Sequence, residues 1–393
     1  MSLAPPTPPD SGSSGPCTPP KADIEQLMDA IPFLSLTPYP HQTQNPTPSI
    51  HAGAPPTPPS GGDSEFDLAP SAQQRPTLNR ATTPWLGSQG SCVPPSNLPS
   101  PRKHPKYSEF KADLESYFLA KWPFSSPKAQ KKFLEADFNL WTCYAFPFGD
   151  DVRVKLACEL LTLDFLVDDH IDTLSLPEAT ILINRLEAIM LGDLPEPTSP
   201  IESMHHTLWK ELLSLDPVLG AAVVTSHTSL LRAQVSSTRG THTTLSSYLD
   251  FREVDGGMKA TCALHYFVSN TPMSSCDLEI LAPLERLASN HICVLNDIVS
   301  YDKEARAAEA GHTGAVIVNC VGIAAREMGL GVSGSKNMLW TAVRGYERVF
   351  HEKREALLKD RNLGDGARKV VLEIEDRMSG NERWTFGTRR YVV

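Results

Sequence analysis

No two of the eight cysteines form a C-x-x-C pair; Cys17, Cys92, Cys143, Cys158, Cys262, Cys276, Cys293 and Cys320 are scattered. That excludes a clustered zinc site and points to reduced thiols in a cytosolic protein. Basic charge is not in excess either. Lys and Arg total 36 against 46 Asp and Glu, a net charge of −10, which argues against broad nucleic-acid binding. No run approaches the ~18 consecutive apolar residues of a membrane span. The N-terminus has neither the basic region nor the apolar core of a signal peptide. Convincing strand alternation is also missing, which leaves helix as the regular structure.

Proline is abundant but uneven: of 34, 24 fall in the first 105 residues. That region, rich in Pro, Ser, Thr and Gly, cannot bury enough apolar surface to offset its chain entropy. Residues 1 to about 105 therefore read as a disordered tail. Its Ala4–Pro9 hexamer, repeated at Ala54–Pro59, is a low-complexity echo. Residues 106–393 suffice for one large core.

From Tyr107 the apolar spacing turns helical, beginning with Phe110, Leu114, Tyr117, Phe118 and Trp122. Further helices are expected at 127–138, 150–171, 176–191, 201–215, 217–236 and 245–269. Others follow at 275–306, 313–328, 336–358 and 366–378. Gly, Pro, Ser and Asp clusters separate them. The expectation is an all-α domain of ten or so helices.

One of these helices ends in acid. Asp168, Asp169 and Asp172 follow the apolar run Leu160–Val167, and carboxylates beside that much hydrocarbon need a cation to stabilise them. Asp168 and Asp172 lie four apart and share a helical face, which suits Mg²⁺, a hard ion that prefers oxygen ligands. Asn296, Ser300 and Glu304 repeat that spacing further on. They span about 12 Å of axis, so the outer side chains must lean inward to hold one ion.

D-D-x-x-D followed by N-D-x-x-S-x-x-x-E resembles the metal-binding pair of class I terpene synthases. Tyr248–Gly257 resembles the helix carrying that family's diphosphate-sensing arginine. Met378–Trp384 and Arg389–Tyr391 resemble its C-terminal signature. Ser116–Leu119, Lys131–Phe133 and Ala157–Leu161 are similar to fungal sesquiterpene cyclases of the aristolochene synthase type. The likeness covers roughly 107–393. It implies a single class I helical bundle around a central cavity, acting on farnesyl diphosphate with three Mg²⁺ ions. Asp168 would ligate two ions, with Asp169 and Asp172 in support. Asn296, Ser300 and Glu304 would hold the third. Arg252, Lys303, Arg390 and Tyr391 would grip the diphosphate. Asp255 and Gly256 would couple diphosphate sensing to the bend of their helix. Asp172 stands where aristolochene-type enzymes usually have Glu, and Leu230 where they have an active-site aromatic.

The chemistry needed is consistent with these assignments. A cation about 4 Å from a departing diphosphate contributes roughly 4 kcal/mol at an effective dielectric near 20. The carbocation left behind needs a dry, apolar cavity with aromatic faces and no nucleophiles. Phe165, one turn before Asp168, and Trp384, in the C-terminal signature, are candidates for that lining, with core packing as the alternative. Geranyl or geranylgeranyl diphosphate are alternative substrates. A chain-elongating prenyltransferase would carry a second D-D-x-x-D, and a phosphohydrolase a different His–Asp order. A catalytically silent helical protein recruited through its Pro-rich tail predicts decayed ligands. None of Asp168, Arg252, Asn296, Ser300, Lys303, Glu304 and Arg390 has decayed. Homo-oligomerisation is left open.

Overall fold

In the computed structural model the described residues are 93–193, 196–309, 318–361 and 363–391. They contain helices and no strand. In chain order these are α1 (Tyr107–Lys121), α2 (Pro127–Ala136), α3 (Phe138–Ala145), α4 (Asp151–Ile171), α5 (Leu176–Met190), α6 (Pro200–Leu215) and α7 (Pro217–Gln234). They continue with α8 (Leu245–Asp255), α9 (Met258–Val268), α10 (Ser275–Glu309), α11 (Cys320–Met328), α12 (Val332–Lys359) and α13 (Asp365–Gly387). The all-α expectation holds.

Local signals explain where the helices start. Proline opens α2, α6 and α7, where its missing N–H is no loss. Asp150 caps α4 by accepting from the Val152 and Arg153 amides. A capping box of Ser175 and Glu178 starts α5. Once started, α4 is apolar nearly all round, with Val154, Leu156, Ala157, Leu160, Leu163 and Val167 all buried. Such a helix belongs inside a bundle. The long α10 packs against α12 and α13 and also reaches α8 and α11.

Several helix boundaries differ from expectation. The predicted helix 127–138 stops at Asp137, which adopts a left-handed conformation (φ 50°), and a further helix, α3, follows. The Trp384 indole N–H, 3.0 Å from both carbonyls, bonds Ala136 and Asp137 at this turn. The predicted helix 245–269 is two helices, broken at Gly256–Gly257, where Gly257 has φ 72°. A methyl group on Gly256 would lie 2.8 Å from the Arg252 carbonyl oxygen and 3.2 Å from the Cys293 Sγ. The last helix runs on to Gly387, past the expected end at Met378. Residues 313–317 of the expected 313–328 helix lie outside the described residues.

The tail boundary also moves. Residues 1–92 lie outside the described residues, but 93–105, expected to be disordered, are fastened to the bundle. Arg344 donates from Nε and Nη2 to the Pro94 carbonyl at 3.1 and 2.9 Å. The Ser96 hydroxyl and Asn97 amide donate to Glu347 at 3.0 and 2.8 Å. Arg102 reaches Asp376 and lies over the Phe148 ring. Leu98 and His104 are buried. The Pro and Ser content that suggested disorder here serves as an extended strap whose polar groups are satisfied by the helices.

The anchor of this strap is a buried charge cluster. Glu347 is fully buried and also faces His291 at 3.3 Å. Burial would raise its pKa, but the hydrogen bond and charge of His291, with Arg344, outweigh this and hold it at about 2. The group His291, Glu347 and Glu382 has spacing that could take a metal. Arg344 already bridges both carboxylates, so their charge is met within the chain. A chain starting at residue 93 is therefore expected to melt like the full chain. One starting at 106 should lose about 2–3 kcal/mol, because Glu347 and Asp376 lose bonded partners. A thermal melt in which both truncations match the full chain would remove the strap from the folded domain.

Candidate active site

The polar residues singled out in the sequence converge on one cavity lined mainly by α4, α7, α8, α9, α10 and α13. Its free space, about 260 Å³, compares with roughly 10–15 Å³ for one water. It can therefore hold a ligand of many atoms. Asp168, Asp169, Asp172, Arg252, Asp255, Asn296, Ser300, Lys303, Glu304, Arg390 and Tyr391 all line it, as do Phe165 and Trp384.

Successive turns of α4 bring Asp172, Asp168, Asp164 and Leu161 to the cavity. Asp168 accepts from the Gln234 amide at 3.3 Å. Burial and then the neighbouring Asp169 charge raise the Asp168 pKa. Asp172 is pushed up to about 7 by burial and by Asp168. Asp169 differs: burial acts upward, but Arg390 outweighs it and lowers the pKa. The Arg390 guanidinium holds both Asp169 oxygens, at 2.8 and 3.0 Å. It also lies 5.3 Å above the Phe138 and Phe165 rings. Those rings stack at 4.4 Å, and Phe165 stands 5.8 Å from Trp384. The aromatic pair thus lines the cavity and packs in the core at once.

Helix α10 supplies the facing set. The Asn296 Oδ1 accepts from Arg252 at 3.3 Å, and its Nδ2 donates to the Tyr391 hydroxyl at 2.7 Å. Asn319 donates to the Asp297 carbonyl at 2.8 Å and to Glu304 at 3.1 Å, with Ser300 Oγ at 3.5 Å. Burial, then Asp297, raises the Glu304 pKa. Burial, then Arg390, lowers that of Lys303, although three aspartates pull the other way. Arg252 is pinned from below by Asp255 at 3.0 Å and by Asp297 at 3.4 Å.

The donors of both sets are hard oxygens. Asp168, Asp172 and Glu304 all have raised pKa values, the signature of desolvated, crowded negative charge. A divalent cation would relieve that crowding, so the residues present fit Mg²⁺.

Several cavity residues escaped sequence reasoning. Arg239 pairs with Asp255 at 3.3 Å and lines the cavity. It sits in a Ser/Thr/Gly-rich turn with no periodicity to flag it. Asn319 caps α11 as well as bonding Glu304, a double role no spacing announces. The cavity is also less purely apolar than expected: Asp164, Gln234, Thr261 and Asn381 are part of its wall. Leu230 does line it, and would lie 3.5 Å from a methyl group on Gly257.

Known proteins resemble this chain in sequence and fold. Residues 159–346 match the family model described as terpene synthase family 2, C-terminal metal binding. Aristolochene synthase of Penicillium roqueforti is 36% identical over 302 residues, covering 76% of this chain and 88% of the relative. Aristolochene synthase of Aspergillus terreus is 33% identical over 310 residues, covering 78% and 97%. The crystal structure of the Penicillium roqueforti enzyme superposes with a TM-score of 0.67 at 33% identity, over 76% of this chain and 100% of that one. Germacradien-4-ol synthase from Streptomyces citricolor, 18% identical, shares the fold with a TM-score of 0.63 over 74% and 96%. With its motifs gathered in one cavity and relatives above 30% identity along most of their length, the chain belongs to the terpene synthase family.

Proposed function

We propose that the enzyme is a Mg²⁺-dependent sesquiterpene cyclase acting on farnesyl diphosphate. The observation that carries this is the division of one cavity: carboxylates and cations gather at α4, α10 and the C-terminal segment, and hydrocarbon follows along α4 towards Leu161. Asp168 with Asp172, and Asn296 with Ser300 and Glu304, would hold the ions. Bound Mg²⁺ supplies Lewis-acid stabilisation of the leaving diphosphate.

The chain's own groups do the rest. Arg252, Lys303 and Arg390 are cations placed to take diphosphate oxygens, Arg by its fork and Lys as a point charge. The Tyr391 hydroxyl can donate to the same group. Arg390 has to exchange Asp169 for the diphosphate, and Arg252 has to release the Asn296 oxygen. Asp255 keeps the Arg252 guanidinium oriented throughout. Phe165, Trp384, Leu161 and Ile292 exclude water from the hydrocarbon end.

Incubation with geranyl, farnesyl and geranylgeranyl diphosphate plus Mg²⁺ tests the assignment, with products identified by gas chromatography and mass spectrometry. Farnesyl diphosphate is expected to have the highest kcat/KM, by about tenfold or more, and chelation should stop the reaction. The size of that preference corresponds to one or two methylene-scale discriminations. Preference for a C10 or C20 substrate would overturn the substrate assignment, and undiminished turnover in chelator would overturn the metal.

A further inference from the structure

We propose that Asp164 is the base that removes a proton from the carbocation, with His227 as its positioning residue. This rests on the terpene cyclase reading above. Asp164 lies one turn before Asp168, so its Cα is about 6 Å further along α4, level with Phe165. It is a carboxylate on the hydrocarbon side of the metal ligands. It lines the cavity, and its side chain is 16% exposed. Oδ2 is 3.1 Å from the His227 Nε2. Oδ1 has no hydrogen-bond partner among the described residues.

The imidazole is fixed. His227 is 1% exposed, packs edge-on against Trp209 at 5.3 Å, and its Nδ1 lies 3.0 Å from the Val223 carbonyl. A carbonyl only accepts, so Nδ1 carries a proton and Nε2 is directed at Asp164. One proton therefore sits between Nε2 and Oδ2, and Oδ1 remains to receive another. His205 is buried beside this pair with neither ring nitrogen bonded.

The step balances. A C–H bond next to the cationic carbon breaks, and its electron pair becomes the alkene π bond. The proton lands on Oδ1 while the shared proton resides on Nε2, giving carboxylic acid and imidazolium. The extra proton leaves to water after product release. A carbocation is so strong an acid that even a carboxylate tied to an imidazole suffices as base.

The test is Asp164→Asn, Asp164→Glu and His227→Gln, assayed with farnesyl diphosphate and Mg²⁺ for both released diphosphate and product profile, alongside thermal melts. In Asp164→Asn, diphosphate release should slow by less than about tenfold, because ionisation precedes proton loss. The share of the wild-type alkene should fall at least tenfold in favour of isomers or alcohols quenched elsewhere. Asp164→Glu should restore part of that alkene. His227→Gln should shift the profile in the same direction by a smaller factor, and it carries the test if Asp164→Asn does not fold. An unchanged profile in a folded Asp164→Asn, or in His227→Gln when only that variant folds, overturns the inference. If the unaltered enzyme releases no diphosphate from any prenyl diphosphate, the cyclase reading itself falls.

Discussion

Replacing Asn296 and Ser300 together by alanine is expected to abolish turnover. The double variant removes an amide oxygen and a hydroxyl from the α10 set and leaves Glu304 as the remaining charge. Several kcal/mol of charge stabilisation on the leaving group go with a lost ion, so the rate falls by about 10³ or more. The fold is expected to survive, because the side-chain partners lost are few: Tyr391 and Arg252 for Asn296, and Asn319 and Glu304 for Ser300. A melt close to wild type together with lost diphosphate release, unrescued by excess Mg²⁺, is the expected outcome. Full activity in the folded double variant would remove α10 from the metal site.

Arg390→Ala is expected to cost about 3–4 kcal/mol, or roughly 10²–10³ in rate, as loss of a donor to developing negative charge does. Its guanidinium is only 11% exposed and has both Asp169 oxygens and two aromatic faces as neighbours. Two consequences of removal must be separated. One is the missing donor to diphosphate, which lowers kcat. The other is an unpaired Asp169 beside Asp168, which adds repulsion at the cavity mouth. Arg390→Lys with Asp169→Asn distinguishes them, since Lys keeps a charge but not the fork and Asn removes the repulsion. If Arg390→Ala keeps the wild-type rate, the residue has no part in ionisation.

How much of this was legible in the sequence depended on whether a signal was periodic. The grouping of Asp168 with Asp172 and of Asn296 with Ser300 and Glu304 was legible because four-residue spacing on a helix has one geometric meaning, and the structure brings both groups to one cavity. The C-terminal Arg390–Tyr391 pair was legible only through family likeness. Periodicity could not show the break at Gly256–Gly257, since apolar residues continue at helical spacing on both sides. Nor could it show α3, which begins at a left-handed Asp137 held by Trp384, far along the chain. The strap at 93–105 was misread because its composition matches the tail, while its partners, Arg344, Glu347 and Asp376, lie some 250 residues on. Arg239 and Asn319 come from turns, where tertiary position alone gives them a role. Asp164 stands inside the Leu160–Val167 run, whose apolar reading gave it no role.

The elbow between α8 and α9 bears on how the enzyme can change. Gly256 has no room for even one methyl group, and Gly257 needs a backbone conformation other residues resist. Point substitution there removes folded protein before it samples new products, so this pair is closed to adaptation. Directed evolution of product outcome has its freedom beside the elbow, at Leu230, Thr261 and Ile292, which line the same cavity. A library that spares 256–257 and varies those three positions should keep most members folded while changing the contour that the cation meets.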